Sequence, residues 1–494
     1  MPRWFLALVF IAGVGLLYVG YRVGKEPVRP NVVFLLLDTL RADRLNGTRN
    51  GIPITPFLSE YAKGGTNYTR AISPCSWTKP TMASLFTVTY PDTHHVQFSL
   101  EPGEKDTKSD VLSAGFETLA EYFATAGYDT WGYQTNGNVT PYFGFSQGFA
   151  EGHYLMLGLA PAKKVTTDIL NNLGNLKPPF MLFAQYTDPH LPYTPPDEYR
   201  EIFGASPQPS ADEAKIIASD NETFLKYFYD DLNTWLGRQQ ARTMPALGLD
   251  AKESIRYRYD AECRSMDDQL AKLVRSIESL YPNTIVVIVS DHGEEFWERG
   301  TIGHGHTLYQ ELVHVPLILR GPGIAPGVVE ATVNTMGILP TLAKLTGLPV
   351  REQWQVPDLP TQVQEGKPVY TWTRASHRGD NVHAEAVLDG KDKFIEDLAH
   401  KKTELFDLMA DPTEQKNLHP QAISDKLAQS MERHRVVTVE DGKKVTSTSA
   451  TLTEDQKQQL ERLGYGKVKK DQESAPPTGT LNTGAISPTP SATP

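Results

Sequence analysis

Three stretches of this chain are apolar at every position: residues 32–37 (VVFLLL), 180–184 (FMLFA) and 285–289 (IVVIV). A strand with one wet face alternates apolar and polar residues, so a run without alternation is buried on both faces. Such strands need helices on either side. The sequence provides one directly before the third run, where Cys263, Met266, Leu270, Leu273, Val274, Ile277 and Leu280 recur mostly at three- and four-residue spacing until Pro282-Asn283 ends them. A weaker pair follows the same plan, a helix over 116–126 stopped by Gly127 and a strand over 128–133. The pattern predicts an α/β fold, a large mostly parallel sheet sandwiched between helices.

Hydrophobic density drops after Leu348-Pro349, and residues 352–367 read as a surface connection. Short strands at 369–372, 384–388, 393–396 and 404–408 predict a smaller C-terminal subdomain containing an antiparallel sheet, with Asp389-Gly390 as a hairpin turn. Thr453 and Gln456 have capping-box spacing for a last helix. Residues 466–494 are rich in Lys, Ser, Thr and Pro without apolar period, which predicts a disordered tail. At the other end, 18 uncharged residues between Arg3 and Arg22 are long enough to span a bilayer and predict an uncleaved anchor over 1–24. Arg22, Lys25 and Arg29 outnumber Arg3, so positive charge alone would leave the bulk cytoplasmic. The expected organisation is an anchor at 1–24, a catalytic domain at 30–355, a C-terminal subdomain at 366–465 and a tail at 466–494. A net charge of −11 with no basic stripe argues against nucleic acid as a partner. Two cysteines, Cys75 and Cys263, exclude a disulfide scaffold and a multi-thiolate metal site.

Ligands of open α/β sheets sit beyond the carboxyl ends of the strands. Each apolar run leads there into acid or imidazole: Asp38 after the first, Asp188-Pro-His190 after the second, Ser290-Asp291-His292-Gly293 after the third. Any one of these aspartates could simply cap the next helix. Taken together on one rim they would repel, and a cation between them is the simplest resolution. Seven of the 13 histidines fall in four short stretches, His94-His95, His190, His292, and His304-Gly-His306 with His314. His190 and His304 stand in Pro- or Gly-framed loops that can bring a ring close to a ligand, whereas His95, His306 and His314 read as structural. Pro80 followed by Met82, Ala83, Leu85 and Phe86 predicts a helix starting near Thr78. Thr78 is then a cap or a first-turn hydroxyl, and the helix N-terminus suits an anionic tetrahedral group.

The motifs Asn-Val-Val-Phe-Leu-Leu-Leu-Asp38-Thr-Leu-Arg-Ala-Asp43-Arg, Thr55-Pro-Phe-Leu, Thr78-Lys-Pro-Thr-Met-Ala-Ser-Leu-Phe-Thr, Asp188-Pro-His190-Leu-Pro-Tyr, Ser290-Asp-His-Gly-Glu and Gly303-His-Gly-His-Thr-Leu-Tyr occur in this order. They are followed by Glu404-Leu-Phe-Asp-Leu-Met-Ala-Asp-Pro-Thr-Glu-Gln-Lys-Asn-Leu418. With them the chain resembles the sulfatase and alkaline-phosphatase superfamily, in particular its sulfatase-like hydrolases, from Asn31 to about Tyr465. The resemblance implies an alkaline-phosphatase-like fold. It makes Asp38, Asp291 and His292 metal ligands, with Thr78 as the nucleophile that completes the metal's shell. His190 and His304 would grip the transferred group or protonate the leaving oxygen, and Asn136 in Gln134-Thr-Asn-Gly matches a substrate-side position. One divalent ion is implied, Ca²⁺, Mn²⁺ or Mg²⁺, with Zn²⁺ as a further fit to the donor set.

Two departures from the family pattern matter. Thr78 stands where formylglycine sulfatases carry the modified cysteine, and Met82 stands where they carry arginine. Cys75, with Trp77 at +2 and Lys79 at +4, lacks the modification motif, so no formylglycine is expected and Cys75 reads as a packed thiol. Thr39 replaces a second acidic ligand, which should leave a leaner metal shell. The expected activity is metal-dependent hydrolysis of phosphoric or sulfuric esters, with phosphoric esters favoured. A threonine sulfate ester cannot be released by collapse of a hydrate, as formylglycine sulfate can, and needs direct attack. Transfer to an acceptor alcohol and a non-catalytic metal-binding scaffold are the alternatives. The resemblance also implies small-molecule, lipid or glycan esters as substrates, and a single-pass anchor with the catalytic domain on the extracytoplasmic side.

Overall fold

The computed structural model describes residues 28–97, 108–218, 222–235, 244–374, 382–418 and 420–462. Its main sheet has eight strands. In chain order they are β1 (Asn31–Leu37), β2 (Thr66–Tyr68), β3 (Asp129–Gln134), β4 (Tyr154–Met156), β5 (Phe180–Tyr186), β6 (Thr284–Val289), β7 (Leu317–Arg320) and β8 (Gly327–Val329). Across the sheet the order is β8-β2-β7-β6-β1-β5-β3-β4. All neighbours are parallel except where β7 pairs with β6 and β2. The three apolar runs lie side by side at the centre, Leu36 standing level with Val289 on one side and Gln185 on the other. Their carboxyl ends therefore finish at one rim.

The pleat divides these strands between two cores. Val33, Leu35, Leu37, Val286 and Ile288 pack on one face with helices α3 (Ala162–Asn172) and α4 (Leu249–Leu280). Val32, Phe34, Leu36, Val287 and Val289 pack on the other with α1 (Thr78–Thr87), α2 (Leu119–Thr125) and α5 (Ile338–Leu345). Each fully buried Val or Leu contributes about 1.5–3 kcal/mol, which is why these strands define the fold.

Where the predicted elements differ, tertiary contacts explain the difference. Helix α4 starts fourteen residues before Cys263, because Ile255, Tyr257 and Tyr259 extend its buried face. Helix α2 begins only after Thr118, whose hydroxyl and Glu121 form a capping box. The expected surface connection over 352–367 is partly buried, since Asp358 caps helix α6 (Leu359–Glu365) and Leu359 enters the second core. The C-terminal strands β9 (Val369–Thr373), β10 (Ala384–Asp389), β11 (Asp392–Asp397) and β12 (Lys402–Asp407) form the expected antiparallel sheet. It is covered by an unpredicted helix, α7 (Gln421–Gly442), whose Leu427 and Met431 pack on Val387, Phe394 and Leu405. Thr453 and Gln456 do cap α8 (Glu454–Arg462). Just before it, Thr448–Thr451 pairs with Lys108–Val111, so the C-terminal region ties back onto the first half of the chain. Among the described residues no helix is long and apolar enough to cross a membrane. The expected anchor over 1–24 and the tail over 466–494 lie outside the described residues.

Candidate active site

Asp38 is the first residue past β1, and its backbone N–H donates to Tyr186 O at 2.8 Å. Thr39 turns the chain with φ 58°, a left-handed conformation that a β-branched residue adopts only under constraint. The constraint is visible: Tyr259 Oη donates to Thr39 O at 2.9 Å, and Thr39 N donates to Asp291 Oδ1 at 3.2 Å. Asp291 follows β6 by two residues. Gly293 must be glycine, because a Cβ there would lie 2.1 Å from Glu311 O. These turns bring Asp38, Asp291 and His292 together, all buried, with ligand atoms within 4.8 Å of one another. Helix α1 opens at Thr78, its N-cap residue Trp77 supplies no side-chain cap, and Thr78 Oγ1 lies 3.1 Å from His292 Nε2.

The cluster lacks positive charge. His292 Nδ1 faces Gly293 O at 2.9 Å, so this nitrogen carries the proton and Nε2 carries a lone pair. Nε2 lies 3.1 Å from Thr78 Oγ1, 3.4 Å from Asp291 Oδ2 and 3.8 Å from Asp38 Oδ1. Neither carboxylate oxygen has a hydrogen-bond partner. The other oxygens are held: Asn136 Nδ2 and Gln185 Nε2 both donate to Asp38 Oδ2 at 2.8 Å, and His292 N donates to Asp291 Oδ1 at 2.9 Å. Burial, then the neighbouring Asp291, push Asp38 up to about 6. Burial pushes Asp291 up to about 7 and holds the His292 imidazole below its ordinary range. Two carboxylate oxygens and an imidazole nitrogen converging on one buried point fit a divalent cation. Thr39 Oγ1 is buried without a hydrogen-bond partner, so this position adds no charge to the shell.

His190 and His304 stand beside the cluster. The His190 ring centre is 5.0 Å from that of His304, which is 4.4 Å from that of His292. His190 Nδ1 donates to Leu191 O at 2.7 Å, and burial lowers its pKa. Asn136 places its amide on Asp38, and its Oδ1 accepts from Asn138 N at 2.9 Å. Asp188 does not join the rim cluster. Its Oδ1 accepts from Ala162 N at 2.8 Å at the start of α3, so it caps a helix after all. His95, His306 and His314 hold Gly442 O, Glu295 Oε2 and Thr69 O. Cys75 and Cys263 are buried free thiols, and burial pushes the Cys75 thiol up. Met82 packs in the second core.

Two residues at this site carried no role in the sequence reading. Gln185 is the one polar residue of β5, and its position directly after an apolar run is the available signal. Glu294 closes the Ser-Asp-His-Gly-Glu motif and touches His304, a contact that only the folded loop makes.

The Sulfatase family model matches residues 30–348. A sulfatase of Formosa agariphila is 25% identical over 443 residues, covering 80% of this chain and 83% of its own. The N-acetylglucosamine-6-sulfatase of Homo sapiens is 26% identical over 386 residues, 70% of this chain and 66% of its own. Among solved structures, the phosphonate monoester hydrolase of Agrobacterium radiobacter shares the fold with a TM-score of 0.63, at 20% identity over 83% of this chain and 96% of that one.

Proposed function

The chain belongs to the sulfatase family and is an ester-hydrolysing enzyme, and on that premise we propose that it cleaves phosphoric or sulfuric esters with Thr78 as nucleophile. The observation that carries this reading is the Thr78 hydroxyl at the N-terminus of α1, 3.1 Å from His292 Nε2, where Asp38, Asp291 and His292 bring ligand atoms within 4.8 Å of one another. A divalent cation held by Asp38, Asp291, His292 and Thr78, of which Ca²⁺, Mn²⁺, Mg²⁺ and Zn²⁺ fit the donors, supplies two things: a lowered pKa for the Thr78 hydroxyl and neutralisation of ester charge.

The chain's own groups do the rest. Asn136 and Gln185 hold Asp38 by one oxygen and leave the other turned to the centre. The first N–H groups of α1 face the anionic group. His190 binds its non-bridging oxygens, and His304 gives a proton to the leaving oxygen. Thr78, having released its hydroxyl proton to solvent, bonds through Oγ1 to phosphorus or sulfur in line as the bond to the leaving oxygen breaks. The resulting ester on Thr78 is resolved by water. An acceptor alcohol in place of water would make the same step a transfer.

Phosphoric esters are the favoured class, because a threonine sulfate ester has no hydrate to collapse and must be attacked directly. Sulfuric esters are the second reading, favoured by relatives named sulfatases. Substrates are small-molecule, lipid or glycan esters. The catalytic unit spans 30–355 with a C-terminal subdomain at 366–465, held outside the cytoplasm by an anchor at 1–24. Protease added to intact cells then reaches the 466–494 tail, and protection of that tail would place the domain inside. Incubating the purified protein with aryl phosphate, phosphodiester, phosphonate and sulfate esters and several divalent ions tests the activity. Intact-mass analysis should find the transferred group on the Thr78 peptide, and turnover with formylglycine at Cys75 would refute the reading.

A further inference from the structure

Two consecutive acids, Glu294 and Glu295, each hold one of two histidines in the same loop. Glu295 and Phe296 pair antiparallel with Gly303 and Ile302, and this short hairpin returns the chain so that His304 and His306 come back to the two acids. Neighbouring residues of an extended chain point to opposite faces. Glu294 Oε1 therefore meets His304 Nδ1 at 2.8 Å on one side, and Glu295 Oε2 meets His306 Nε2 at 2.7 Å on the other. Both pairs are buried, with side chains at most 2% exposed.

The two pairs differ in what they control. Glu294 is fixed from three directions: Tyr193 Oη donates to its Oε2 at 3.0 Å, Arg41 Nη1 donates to its carbonyl at 2.9 Å, and Gly293 N is tied to Leu312 O at 2.8 Å. Its carboxylate accepts from His304 Nδ1–H, so Nε2 is the nitrogen that exchanges a proton with a ligand. The ring it orients is the one 4.4 Å from His292 and 5.0 Å from His190. Glu295 also accepts from Arg299 N at 2.8 Å and Thr301 N at 3.3 Å, and His306 packs on Trp235, so that pair fastens the hairpin.

We infer that Glu294, backed by Tyr193, is a positioning residue that fixes the orientation and tautomer of His304 for proton delivery to the leaving oxygen. This rests on the proposed use of the site. As the bond from phosphorus or sulfur to the leaving oxygen breaks, its electron pair stays on that oxygen. The ring, which has taken a second proton from solvent, gives that proton from Nε2 to the oxygen and is left neutral with its Nδ1–H still on Glu294. The demand for that proton grows with the basicity of the leaving group.

The test compares Glu294→Gln with Glu295→Gln, two buried acid-to-amide changes one residue apart, on aryl phosphate and aryl sulfate esters whose phenols span acidic to weakly acidic. Glu294→Gln should lower kcat about 100-fold on the poorest leaving group. Its KM should change little, and the deficit should shrink as the leaving phenol becomes more acidic. Glu295→Gln should stay within a few-fold on every ester. Tyr193→Phe, which removes one hydrogen bond and almost no volume, should show the same leaving-group trend at a few-fold. Equal losses in Glu294→Gln on all esters, or losses matched by Glu295→Gln, would overturn the inference. Thr78→Ala separates the two ideas: an active Thr78→Ala protein refutes the nucleophile reading, while an inactive one beside a Glu294→Gln protein without leaving-group dependence refutes only the role of Glu294.

Discussion

Two buried clusters of charge lie on either side of the loop that carries His304, and they are built in opposite ways. Under the C-terminal sheet, Lys393 Nζ pairs with Glu414 Oε1 at 2.7 Å and donates to Leu308 O at 2.6 Å. Gln310 N donates to Glu414 Oε2 at 2.6 Å, and Arg299 holds Glu311 Oε1 and the Glu414 carbonyl, each at 2.9 Å. Acids and bases alternate, and the cluster closes on itself. At the rim of the main sheet, Asp38, Asp291 and His292 bring together two carboxylates and an imidazole, and among the described residues no lysine or arginine pairs with either acid. Buried charge that is paired within the chain holds structure together. Buried charge left unpaired calls for something from outside the chain.

The sharpest contrast is between activity and stability at the two sites. Thr78→Ala removes one small hydroxyl and should cut turnover by at least about 10⁴-fold, more than about 5 kcal/mol of barrier, with unchanged far-UV circular dichroism. Near-normal turnover in that variant would erase the distinction. Glu414→Ala should do the converse, leaving Lys393 buried and unpaired at a cost of about 3–5 kcal/mol in denaturant unfolding. A loss below about 1 kcal/mol would show that the closed cluster is not structural.

A smaller effect comes from Glu311. Burial pushes its carboxyl up to about 6 despite Arg299. A folded-state pKa above the unfolded value of 4.5 stabilises the protein at low pH, and that contribution fades as pH rises through about 6. The wild type should therefore lose about 2 kcal/mol relative to Glu311→Gln between pH 4 and 7. A pH-independent difference between the two would contradict this. Smallest is Asp291→Asn: in chelator it relieves repulsion with Asp38 and should stabilise by about 1 kcal/mol, the opposite sign to Glu414→Ala.

The same division explains what the sequence made legible. Strands β1, β5 and β6 could be read because burial on both faces leaves an uninterrupted apolar run, and Asp38, Asp291 and His292 because they follow those runs directly. Thr78 was accessible through Pro80, which marks the helix start. The hands that hold the cluster were not legible. Asn136, expected on the substrate side, instead puts its amide on Asp38 from 98 residues away, Gln185 meets Asp38 from 147 residues away, and Glu294 meets His304 only because a two-residue pairing folds the loop back. Asp188 was misread for a related reason: an acid after a strand serves a helix cap as readily as a rim, and only the position of α3 decides. Helix α7 escaped because only Leu427, Met431, Thr438 and Gly442 of its 22 residues are buried, too few to imprint a period.

The proposed chemistry needs a divalent cation to complete the rim cluster. Elemental analysis of the protein equilibrated with Ca²⁺, Mn²⁺, Mg²⁺ and Zn²⁺ and then desalted tests it most directly, run beside an Asp38→Ala, Asp291→Ala double variant. The wild type should hold one equivalent of one of these ions and the double variant none, and a full equivalent persisting in the double variant would rule out a cation at this cluster.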